Sequence, residues 1–249
     1  MGLFDRFRKA DSAGKAASKT EKELARLSRI VADKYSQNYD RQEAISELAR
    51  IGGAGAARHL LRRFNFSMEP STTDQEEKES AAVGVVSVGE EALGPLREYC
   101  VKAESLRWPL EILREIVAEH LIAEEMLSLL DQFDTEYTRN SEPKVQLLNA
   151  LENYPGTEVR EAIEPFLLDV NESVRFHAVG AIFSMASPES MESLVEAMEE
   201  EESLRVRNRV ASALVEQEWE LSEELGARLS PTLPPKFALS DSRRVVSTS

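Results

Sequence analysis

Three histidines, His59, His120 and His177, and one cysteine, Cys100, are the side chains here best suited to metal binding or nucleophilic chemistry. A metal centre needs several such ligands converging at short spacings. The histidines are far apart in sequence, and no His-Glu step occurs, since His120 follows Glu119 in the reverse order. No metal and no cofactor is therefore expected, and His177 reads as a packed or surface histidine. Cys100 has only Arg97 and Lys102 as basic neighbours, which reads as a buried structural thiol rather than a nucleophile. The stretch Ile51-Gly52-Gly53-Ala54-Gly55-Ala56 is glycine-rich, but no Lys-Ser/Thr follows to make a phosphate-binding loop. It reads as a tight turn whose glycines take unusual backbone angles. Catalytic residues are not expected anywhere in the chain.

Charge offers more candidates. Arg50, Arg58, Arg62 and Arg63 form a local basic cluster, read as a solvated face or a patch for an acidic protein segment. Seven acids and no Lys or Arg lie between Glu115 and Tyr137, and seven glutamates with no Lys or Arg lie between Ala186 and Leu204. Such runs keep a surface solvated. At the start, Leu3, Phe4 and Phe7 alternate with Arg6, Arg8 and Lys9. This short amphipathic peptide could dock on a partner groove or touch an anionic membrane weakly. Arg6 takes the Ser/Thr place of a myristoylation motif, and no apolar core of a secretory signal is seen.

These residues must be positioned by helices. The chain has 249 residues, 42% hydrophobic and 30% charged, enough to bury a core. Leu, Ala, Glu and Arg abound, and β-branched runs are few. With one cysteine no internal disulfide can form, which suits the cytoplasm. No apolar stretch is long enough to span a bilayer. The net charge of -15 disfavours nucleic acid as a partner. Residues 1–20 carry +3, which leaves -18 for the rest, and read as a basic, flexible segment. Residues 230–249, opening Ser230-Pro231-Thr232-Leu233-Pro234-Pro235, read as a tail short of apolar periodicity.

Between these ends, residues 21–229 show one frame six times. A basic residue is followed by small or apolar residues at +3, +4 and +7. The frame starts at Arg41, Lys78, Lys144, Arg175 and Arg207, with a weaker copy at Arg107. The separations are 37, 29, 37, 31 and 32 residues. A partner helix is expected before each, at 21–36, 55–65, 91–101, 122–133, 158–168 and 189–200. Units of this length holding two helices each cannot bury both apolar faces alone, so they must stack. The two longer spacings place extra residues in 65–76 and 134–142, both joining a first helix to a second and both candidates for binding loops.

The run Asp169-Val170-Asn171-Glu172-Ser173-Val174-Arg175, followed by Ala178 and Ala181-Ile182, resembles the HEAT-repeat signature. Ile51-Gly52 and Val88-Gly89 resemble the short, lyase-type variant of that repeat. The resemblance implies an all-α fold: an α-solenoid of about six HEAT-like helix pairs in a right-handed superhelix. It also implies a ladder in which the acid closing a first helix meets the arginine opening a second. Asp169 and Arg175 carry both halves, Glu201 takes the acid place before Arg207, and Tyr35, Thr72, Val101 and Thr138 fill it elsewhere. Pro95 and Pro165 fall in first helices, as kinks. HEAT-like proteins are mostly scaffolds and adaptors, and a minority are bilin lyases, DNA glycosylases or di-iron hydroxylases. The expectation is a cytoplasmic, bacterial-type, non-enzymatic scaffold for one or more protein partners. Alternatives are a bilin-lyase-like accessory or chaperone, and a DNA-binding protein.

Overall fold

The computed structural model describes residues 20–248. The chain is mostly helical, with thirteen α-helices and little strand among the described residues. No helix among them is long and apolar enough to cross a membrane. The leading segment with Leu3, Phe4 and Phe7 lies outside the described residues.

The described residues divide into two compact units, 20–103 with 107–119 and 104–106 with 120–248. In the first, α1 covers 20–32, α2 Asn38–Ile51, α3 Gly53–Leu60, α4 Ser71–Val86, α5 Leu93–Cys100 and α6 Arg107–Ile116. Helices α2, α4 and α6 pack side by side in that order, and α3 packs on α5. In the second unit, α7 runs Glu119–Leu130, α8 Glu142–Leu151, α9 Thr157–Ile163, α10 Glu172–Ser184, α11 Met191–Glu200, α12 Leu204–Gln217 and α13 Glu223–Leu229. Here α8, α10 and α12 form one row, and α11 packs on α13.

The six basic positions of the repeated frame all fall on α2, α4, α6, α8, α10 and α12. The apolar residues that follow them are buried: Ala44, Ile45 and Leu48; Ala81, Ala82 and Val85; Leu147, Leu148 and Leu151; Ala178, Val179 and Ile182; Val210, Ala211 and Leu214. In the weaker copy Leu110, Ile112 and Leu113 carry the buried face. Positions three, four and seven apart share one side of an α-helix, so each row turns a continuous apolar stripe inward.

Local sequence sets the ends. Asn171, Ser203 and Ser222 each accept a hydrogen bond from a main-chain N–H of the first turn they cap, on α10, α12 and α13. Gly52 and Gly53 take φ of +68° and +76° between α2 and α3, and Gly89 takes +70°. Left-handed angles of this kind favour glycine. Pro165 splits a first helix into α9 and a 3-10 turn, Glu164–Leu168, because proline has no N–H to give to the preceding turn. The segment 65–76 is less loop than expected, since α4 already starts at Ser71.

The C-terminal residues correct the reading of an aperiodic tail. Phe237–Leu239 (β1) and Val245–Ser247 (β2) pair antiparallel, Phe237 opposite Ser247. β2 packs on α12, Val245 is buried, and Leu239 lies close against Gly226 of α13. The hairpin covers the apolar end of the second unit.

Candidate binding face on the second unit

Two side-chain systems set the geometry of α8, α10 and α12. The first is a ladder at their N-terminal ends. Lys144 Nζ donates to Asp169 Oδ2 at 2.8 Å and to the main-chain oxygen of Glu136. Arg175 donates to both carboxylate oxygens of Glu201, at 2.7 and 2.8 Å, and to the main-chain oxygens of Asp169 and Val170. Each base thus meets the acid of the following helix pair. Two-pronged arginine pairing fixes distance and angle together, so it sets the register between neighbouring helices. Asp169 and Glu201 each also accept a main-chain N–H two residues on, from Asn171 and Ser203. Burial pushes the Glu201 carboxyl up, but Arg175 and the Ser203 N–H outweigh it and hold it below the usual range. The ladder stops at Arg207, whose buried Nε has no hydrogen-bond partner. Leu233 follows the last first helix and its 3-10 turn, where an acid stands in the two preceding pairs.

The second system lies on the outward sides of the same helices. His177 Nδ1 lies 2.7 Å from Asn149 Oδ1, linking α10 to α8. The amide oxygen can only accept, so this ring nitrogen carries the proton. Burial, with Arg209 and Arg205 nearby, holds His177 below its ordinary pKa, so the ring is neutral at neutral pH. The guanidinium carbons of Arg205 and Arg209 lie 3.6 and 4.0 Å from the centre of the Phe176 ring. Arg205 also pairs with Glu172 at 3.0 Å. Arg209 lies over Gly180, where an added Cβ would come within 2.0 Å of its Nη2 and 3.1 Å of Glu152 Oε1. Burial raises the Glu152 carboxyl above the ordinary value, against the pull of Arg209. Further along, Phe183 stacks on Trp219 with centroids 5.4 Å apart. The face therefore presents a neutral histidine, an amide, a half-buried arginine, a half-buried acid and an aromatic ring.

The basic cluster expected from sequence is dispersed. Arg50 pairs with Glu47 on its own helix, Arg58 with Glu98, and Arg62 donates to Ser28 Oγ. Arg63 corrects the expectation of a surface patch, since it is 0% exposed. It donates to Glu77 and Asp74 at 2.7 Å each and covers the Phe66 ring. Glu77, also fully buried, accepts from Arg41 at 2.9 Å, while Asp74 pairs with Lys78 at 2.7 Å. In the first unit, then, Arg41 and Lys78 meet acids of α4 itself, and Arg41 also donates to the main-chain oxygen of Ser36. The second acidic run is largely answered: Glu189 pairs with Arg160, Glu192 and Glu199 with Arg228, and Glu201 with Arg175.

Cys100 is buried, and burial pushes its thiol up to about 12, so it carries no thiolate at neutral pH. Among the described residues no group of His, Cys, Asp and Glu could hold a metal ion. Sequence reasoning missed the Phe176–Arg205–Arg209 grouping. The signal was there, because His177 and Arg209 share the 32-residue step of Arg175 and Arg207 and so take equivalent places on neighbouring helices. No family model matches this chain, and no curated protein matches it.

Proposed function

We propose that this chain is a non-enzymatic, cytoplasmic scaffold, an α-solenoid of about six HEAT-like helix pairs that holds a protein partner. The observation that carries the reading is the base–acid ladder of the second unit. Lys144–Asp169 and Arg175–Glu201 tie successive helix pairs at a near-constant sequence step. A repeated register produces a row of equivalent outward positions, which suits an extended partner touching several helices in turn. The face bearing Asn149, His177 and Arg209 is that row.

The test is site-specific photocrosslinking in native lysate, with the crosslinker at Asn149, His177 or Arg205, and at Glu196 on α11 as the control. The reading expects one protein crosslinked from the three face positions and not from Glu196. Crosslinks of equal pattern at all four positions, or none, would reject it. A chromophore that co-purifies with the chain would replace it with a lyase-like accessory role.

A further inference from the structure

Arg205 and Arg209 place two cations on one ring, with guanidinium carbons no more than about 8 Å apart. Arg205 has Glu172 as its acid. Arg209 is half-buried, and among the described residues nothing accepts a hydrogen bond from it. Burial pushes its pKa down, Glu152 pulls it back and Arg205 adds to the fall, yet a guanidinium stays charged at any working pH. It cannot relieve its desolvation by losing a proton.

An ordinary surface arginine would swing into water. Arg209 is held by two features: the Phe176 ring, whose centre lies 4.0 Å from its guanidinium carbon, and the notch that Gly180 leaves in α10. The result is a planar fork of donors with Glu152 nearby and, among the described residues, no acceptor within hydrogen-bond reach. Such a fork matches the two oxygens of a carboxylate.

We propose that Arg209, with Arg205 beside it, binds a side-chain carboxylate of an acidic partner segment laid across α8, α10 and α12. This rests on the scaffold reading above and names the partner's chemistry. Glu152 Oε1 and Arg209 Nη2 both lie close to the place a Gly180 Cβ would take, at 3.1 and 2.0 Å, so an acid already stands beside the fork and selects among oxyanions. A singly charged carboxylate tolerates one neighbouring acid, whereas a doubly charged phosphate meets twice the repulsion.

The experiment is a nitrogen-15 NMR titration of the full chain at low salt, with tetraglutamate peptide in one arm and inorganic phosphate in the other. The peptide is expected to shift the amides around Phe176, Gly180 and Arg209 saturably, and more tightly than phosphate does. Arg209→Gln should weaken the peptide about tenfold and Arg205→Gln about threefold, each losing charged hydrogen bonds. Gly180→Ala keeps both arginines but fills the notch, and should fall between them. Arg50→Gln should change nothing, and thermal melts of all four variants report whether the fold is kept. Equal binding by wild type and Arg209→Gln, no binding of the peptide, or tighter binding of phosphate would overturn the proposal. If the titration fails while the face still crosslinks one protein, the carboxylate site falls and the scaffold reading stands. If both fail, both fall.

Discussion

Glu77 is the acid on which the first unit's buried charge converges. It is fully buried and accepts hydrogen bonds from Arg41 and Arg63, which are buried as well. Removing one member of a buried pair strands its partner, at a cost of about 3–5 kcal/mol. Glu77→Gln is therefore expected to lower the unfolding free energy by that order in urea denaturation, whereas Glu47→Gln, an exposed pair on one helix, should leave it within error. Glu201 in the second unit makes a pH statement. Its folded pKa lies below the unfolded value, so the unfolded chain binds its proton first as pH falls. The stabilisation is complete above the ordinary carboxyl range and is lost as pH drops through the lower folded value. Melting curves from neutral to acid pH should thus show a shallower acid limb in Glu201→Gln than in the wild type.

Between helices the decisive residues are few. Gly52 holds φ at +68°, a conformation that costs an L-residue roughly 1–2 kcal/mol. Gly52→Ala should destabilise by about that amount, read from chemical unfolding, although nothing crowds the position. This turn was legible in the sequence, as was the burial of Ala44, Ile45 and Leu48, because both depend on neighbours within two helical turns. What was illegible depended on distance. Arg63 looked like surface because its acid, Glu77, stands fourteen residues on, across a loop. The hairpin strands Phe237–Leu239 and Val245–Ser247 are three residues each, too short for an alternation to register, and packing on α12 decides them. The grouping on Phe176 joins residues about thirty apart and needs the register between α10 and α12, which the ladder supplies.

Over the whole chain the net charge is -15, and the arginines of the second unit mostly face acids at short range. A duplex nucleic acid is therefore expected to meet net repulsion. Fluorescence anisotropy with labelled duplex DNA should show no binding at physiological salt, and a salt-sensitive gain at low salt would contradict this. The ladder carries a further consequence at this scale. In the second unit Lys144 and Arg175 are each answered by the acid of the next pair, and each of those acids stands six residues before its own pair's base, Asp169 before Arg175 and Glu201 before Arg207. The joints are therefore interchangeable. Excising 170–201 would leave Lys144 facing Asp169, and would set Arg207 six residues beyond that same acid. Duplicating those residues would insert one more complete rung. The second unit is thus expected to tolerate the loss or gain of these 32 residues without a stranded buried charge, which makes its length an editable quantity.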